Sequence, residues 1–171
     1  MLEKELAQAT RMAEEANKRV EKLRARLLAE TEKAHARVKR DLDAARNFYG
    51  ALLGCPEGRS DKDWIDFDFF GHQIVAHVAP ASVAARAAGE NRTAVDGESV
   101  PVPHFGVVLP MDQWQALADR LTEAGLQFVI EPTVRFRDRP GEQATMFFRD
   151  PSGNALEIKA MADPDRLFAK N

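Results

Sequence analysis

Three side chains able to bind a divalent metal, His77, His104 and Glu157, stand in stretches that share one plan. "FDFFGHQIVAHV" and "TMFFRDPSGNALEIK" each run through a Phe-Phe pair, a turn and a short strand with one polar residue among apolar ones. Aligning residues 74–78 on 154–158 places His77 on Glu157. His104 opens a further apolar run, "HFGVVL". In the second stretch Leu156 and Ile158 alternate with Ala155, Glu157 and Lys159, so Glu157 shares a strand face with Ala155 and Lys159. That face is either solvated or the lining of a site.

The elements that must carry these residues are legible in outline. Asp150, Pro151, Ser152, Gly153 and Asn154 form a turn: Pro fixes φ, Gly accepts positive φ, and Asp and Asn bond nearby backbone. The flanking segments "ATMFF" and "ALEIK" are therefore the arms of a hairpin. "DWIDFDFF" and "IVAHV" are strands joined by a turn at Gly71, His72 and Gln73. "PHFGVVLP" is a strand, "MDQWQALADRLTEAG" a helix closed by Gly125, "LQFVIEP" a strand and "RFRDRPGEQ" a loop. Residues 80–101 are rich in Ala, Gly and polar groups. They suit a loop or crossover with a short helix around 83–88. The tail from Met161 is a short helix or a loose end.

The first 49 residues contain neither Gly nor Pro. Leu6, Ala13, Val20, Leu27 and Ala34 recur every seven, with Leu2, Ala9, Ala16 and Leu23 interleaved, which specifies a long helix. The seam is rich in Ala and fails at Glu30 and Arg37, so it suits helix packing or a weak coiled coil better than a strong zipper. Residues 1–40 hold eleven Lys or Arg against seven Glu, a local +4 that is read as a solvated face. "DLDAARNFYGALLG" is an amphipathic helix, either capped by Asp41 and stopped by Gly54 or continuous with the first as one rod.

Composition narrows the function. The 171 residues suffice for one domain with an appendage, divided here as a helical extension over 1–40 and a domain over 41–171. A hydrophobic share of 44% with 30% charged residues fits a globular chain, and a net charge of −3 gives no case for nucleic-acid binding. One cysteine, Cys55, excludes an internal disulfide. No apolar run has membrane-spanning length, so no membrane partner is expected and the cytoplasm is the default location.

"DLDAARNFYGALLG", "WIDFDFFGHQIVAHV", "VPHFGVVLP" and "MFFRDPSGNALEIKA" together resemble the vicinal oxygen chelate superfamily, which includes glyoxalase I, bleomycin-resistance proteins and type I extradiol dioxygenases. The resemblance covers about residues 41 to 160. It implies an α+β fold in which paired βαβββ units form a cupped mixed β-sheet with a divalent metal on the concave face. It also implies that His104 and Glu157 are ligands from the first and last strands of the second unit, and His77 from the last strand of the first. Two imidazoles and a carboxylate suit Fe, Mn, Ni, Co or Zn. They leave positions where vicinal oxygens of a small-molecule substrate would chelate and be polarised.

The resemblance fails where the first unit's opening strand should stand. That place reads "EKAHARVKR", a helical and basic stretch, so a helix has replaced the strand by divergence or by an engineered splice. His35, a possible further ligand, lies there on a helix rather than a strand. The loss leaves a sheet edge open to cover or to pairing with another chain, and a homo-oligomer is expected.

Remaining candidates carry bland readings beside the chemical ones. Arg135, Arg137 and Arg139 form either a clamp for a carboxylate or phosphate or a solvated basic loop. Tyr49 is a proton donor or a packing residue, His72 an exposed turn residue, and Cys55 lacks a basic partner in sequence. The leading expectation is a metal-dependent enzyme of dioxygenase or glyoxalase type. Its rivals are a non-catalytic binding module with an apolar cleft lined by Trp64, Phe67 or Phe147, and an assembly protein driven by the helix.

Overall fold

The computed structural model describes residues 2–79, 91–95, 98–139 and 141–168. The chain divides into two compact units, Met1–Asp41 and Leu42–Asn171. Over its described residues, 2–41, the first is helix. α1 (Leu2–Ala45) is a single 44-residue helix, so the two helical segments of the sequence run together as one rod. Good helix formers and the absence of Gly and Pro explain its length. Leu42 is its one buried residue.

α1 then passes into a π-helical segment, Arg46–Leu52. There the hydrogen bonds span five residues instead of four: Leu53 N donates to Phe48 O at 2.9 Å. Both Phe48 and Tyr49 are buried in this segment. Three antiparallel strands follow, β1 (Glu57–Asp61), β2 (Trp64–Phe69) and β3 (His72–His77), in that spatial order. Ile65, Phe67 and Phe69 form the buried face of β2, with the Tyr49 ring 5.4 Å from that of Phe67 and 6.5 Å from that of Phe69. The turn between β2 and β3 is at Phe70 and Gly71, one residue shorter than the sequence suggests, and His72 already belongs to the strand.

The expected helix at 83–88 lies outside the described residues. Within 91–101 the chain forms a hairpin that the composition does not announce, β4 (Arg92–Val95) paired with β5 (Glu98–Pro101). The last sheet has the order β6-β9-β8-β7, built from β6 (His104–Leu109), β7 (Phe128–Arg135), β8 (Gln143–Arg149) and β9 (Ala155–Met161). β6 runs parallel to β9, and α2 (Met111–Glu123) carries the chain from β6 to β7 at the far edge of the sheet. Trp114, Leu117, Ala118 and Leu121 are the buried stripe of α2, and Trp114 Nε1 donates to Ile158 O at 2.9 Å. Met146, Phe148, Leu156, Ile158 and Ala160 bury the opposing face of the sheet.

The second half is thus strand, helix and three strands, whereas the first is helix and three strands. This is an α+β fold with the first strand missing and helix in its place. Among the described residues no strand pairs with the outer edge of β6. Two contacts shape the surroundings of β9. The Asp150 carboxylate accepts from Ser152 N, Asn154 N and Asn154 Nδ2, closing the β8–β9 turn, and also from the Tyr49 hydroxyl at 2.9 Å. Gly106 lies against β9 so closely that an added Cβ would overlap the Glu157 carbonyl.

Candidate functional site

Alternation along β9 turns Leu156 and Ile158 into the core and leaves Glu157 and Lys159 on the opposite face. Parallel pairing sets Glu157 beside Gly106, so His104 two residues earlier on β6 shares that face. The result is a close pair. His104 Nε2 lies 3.5 Å from Glu157 Oε2. Their side chains remain 31% and 19% exposed, enough for a ligand to reach both.

The surrounding groups orient each partner. His104 Nδ1 is 2.7 Å from Pro101 O. A carbonyl only accepts, so Nδ1 donates to Pro101 and Nε2 is the ring nitrogen that faces Glu157. The His104 ring also meets Phe147 edge-on, with centroids 5.2 Å apart. Phe147 is in turn packed with Val100 and Ile130. Thr145 Oγ1 donates to Glu157 Oε1 at 2.9 Å, and Lys159 Nζ lies 3.7 Å from the same oxygen. Glu157 Oε1 is therefore engaged, and Oε2 points to the imidazole.

This pair opens on a cavity of about 640 Å³ lined by Phe69, Ile74, Phe105 and Val107 on its apolar side and by His72 and Lys159 on its polar side. His72, Thr145 and Lys159 were not singled out as site residues by sequence. Lys159 was visible as the face-mate of Glu157. Thr145 reaches the site through the β8–β9 register, where it pairs with Lys159, and His72 through the tight β2–β3 turn.

The other candidates lie elsewhere. His77 ends β3 opposite Trp64, is exposed, and is not among the residues lining the cavity. His35 is an exposed residue of α1. Among the described residues no group of three or more His, Cys, Asp or Glu side chains converges to hold a metal ion. Arg135 ends β7 with its guanidinium 4.0 Å from Glu98, while Arg137 and Arg139 are exposed in the following loop. Phe67 is buried against Tyr49, and the Trp64 ring lies 5.9 Å beneath the Arg59 guanidinium. Cys55 is buried, and burial together with the Asp68 charge pushes its thiol up to about 11. The Tyr49 hydroxyl is raised far above its usual range, by burial first and by Asp150 second.

The donor chemistry of His104 and Glu157 fits a borderline divalent ion: one imidazole oriented by a backbone carbonyl, one carboxylate oriented by a hydroxyl. Two protein donors are fewer than the three of an ordinary catalytic zinc site.

The sequence model of the Glyoxalase/Bleomycin resistance protein/Dioxygenase superfamily matches residues 34–158. The chain belongs to that superfamily. Among solved structures, the chain is similar to a glyoxalase/bleomycin resistance protein/dioxygenase from Alicyclobacillus acidocaldarius, at 31% identity and a TM-score of 0.57, over 75% of this chain and 89% of that one. It shares the fold of the fosfomycin resistance protein FosX from Listeria monocytogenes, at 16% identity and a TM-score of 0.51, over 74% and 89% of the two chains. A comparison with curated proteins gives no match. Members of the superfamily include metalloenzymes. No helix among the described residues is long and apolar enough to cross a membrane.

Proposed function

We propose that this chain is a divalent-metal-dependent enzyme acting on a small molecule with vicinal oxygens, with His104 and Glu157 as its metal-binding pair. The observation that carries this reading is the paired fixation of the two donors. Pro101 O holds His104 Nδ1 and turns Nε2 toward Glu157, and Thr145 with Lys159 engages one carboxylate oxygen of Glu157 while the other faces the imidazole. Metal-binding histidines are commonly oriented through their second nitrogen in this way. A divalent ion held by the pair would supply Lewis-acid polarisation of the substrate oxygens.

The chain's own residues do the rest. Phe69, Ile74, Phe105 and Val107 offer an apolar wall for the carbon skeleton. The Lys159 ammonium offers a positive charge beside Glu157 for an anionic oxygen. Catechol-like compounds and 2-oxoaldehydes are the substrate classes that fit, as ring-opening oxygenation or glyoxalase-like isomerisation.

The test is equilibrium titration of the apo chain with Co(II), Zn(II), Ni(II) and Mn(II), followed by turnover of both substrate classes. Binding lost in His104→Ala and in Glu157→Ala is the expected result. A second reading is a non-catalytic binding module. It draws on the two-donor set and on the ammonium already neutralising Glu157. Small-molecule binding that persists unchanged in EDTA would favour it over the enzyme.

A further inference from the structure

The helix of the first unit carries a pattern that the site does not use. From Leu2 to Leu27 the apolar positions Leu2, Leu6, Ala9, Ala13, Ala16, Val20, Leu23 and Leu27 alternate in steps of four and three, an unbroken coiled-coil seam. All of them are exposed: Leu2 is 82%, Leu6 70%, Leu23 63% and Leu27 70% accessible. The seam has a centre of symmetry. Read from its two ends, its members pair as Leu2 with Leu27, Leu6 with Leu23, Ala9 with Val20 and Ala13 with Ala16, each pair of numbers adding to 29. Large residues meet large ones at the ends, and small residues meet in the middle.

The flanking charges have the same symmetry. Glu3 and Glu5 border the seam at one end, and Arg24 and Arg26 border it at the other. Two helices laid antiparallel in this register set Glu3 opposite Arg24 and Glu5 opposite Arg26, twice over by the two-fold axis. Arg24 meets Glu21 on its own helix at 3.0 Å, but a guanidinium has further N–H donors for a second carboxylate. A parallel pair of the same helices would set Arg19 opposite Arg24 at both flanks and Glu30 against Glu30 in the seam. Antiparallel packing also opposes the helix dipoles, and the central alanines let the axes approach to about 8 Å.

We infer that residues 2–27 are the docking surface for a second copy of this chain, joined as an antiparallel, isologous two-helix coiled coil. The self-complementary order of both apolar and charged residues selects a copy of the same chain over an unrelated partner. The inference is independent of the metal site.

The test uses the full-length chain. Sedimentation equilibrium should give twice the chain mass. Glu3→Lys/Glu5→Lys should raise the dimer dissociation constant about tenfold or more, and adding Arg24→Glu/Arg26→Glu to the same chain should restore it. Orientation is read by mixing Leu6→Cys and Leu23→Cys chains in a Cys55→Ala background and oxidising them. Antiparallel pairing gives the mixed disulfide between the two variants, because the two copies of position 6 lie about 25 Å apart along the axis. Disulfides within each variant alone would overturn the orientation. A monomeric wild type, or a dimer indifferent to the charge changes, would overturn the docking surface itself.

Discussion

Tyr49→Phe removes one oxygen and tests how the fold is clasped. The Tyr49 hydroxyl donates to Asp150 Oδ2 at 2.9 Å, across 101 residues of sequence. It joins the π-helical segment to the turn that aims Glu157. Tyr49 is 5% exposed and Asp150 8%, so solvent does little to screen the contact. A hydrogen bond to an ionised acceptor contributes about 1.5–3 kcal/mol. Asp150 keeps Ser152 N, Asn154 N and Asn154 Nδ2, so the carboxylate is not orphaned and the loss should stay within that range. In urea, with Trp114 fluorescence as the probe, the midpoint should fall by about 1 M with unchanged slope. A double-mutant cycle with Asp150→Asn should recover most of the loss as coupling. Metal affinity should hardly change, because three donors still shape the turn. A Tyr49→Phe loss of the same size in the Asp150→Asn background would refute the reasoning, since the hydroxyl would then be acting through some other contact.

Other outcomes follow from the site and core. Thr145→Val removes the donor to Glu157 Oε1 and should weaken metal binding about 10–100-fold with little change in stability, read by titration calorimetry. Gly106→Ala should cost about 1–3 kcal/mol in urea unfolding and weaken metal binding as well, because the added methyl separates β6 from β9 at Glu157. Cys55, with its thiol raised to about 11, should resist iodoacetamide in the folded protein at pH 8. Its folded value lies above its unfolded one, so its contribution is full below about pH 8.5, the ordinary thiol value, and fades as pH rises through 11. The urea midpoint should fall across that window, less steeply in Cys55→Ala.

Much of the fold was legible because its apolar residues keep time with its elements. The alternation in "DWIDFDFF", the stripe of α2 and the turn at Asp150 each translated directly into structure. The same alternation places Glu157 and Lys159 on one face of β9. β1 was missed because "EGRSD" has no apolar residue: all five positions are exposed, and backbone pairing with β2 is what makes it a strand. The β4–β5 hairpin was missed for a similar reason: it is mostly exposed, and Val100 in β5 packs into the core with Ile130 and Phe147. The choice between two helices and one rod was left open by sequence and is settled by the continuous α1 and its π-helical continuation. Contacts distant in sequence, such as Tyr49 with Asp150 or Thr145 with Glu157, have no periodic signature and appear only once the strands are in register. His72 is exposed as its sequence setting suggests, yet its place at the start of β3 rather than in the turn sets it at the rim of the cavity.

Metal binding by the His104–Glu157 pair is the claim on which the functional account rests. The direct measurement is metal stoichiometry per chain, by elemental analysis after reconstitution and gel filtration of untagged protein, in the wild type, His104→Ala and Glu157→Ala. The account predicts one divalent ion per wild-type chain and none in either variant. Full metal content in both variants, or none in the reconstituted wild type, would contradict it.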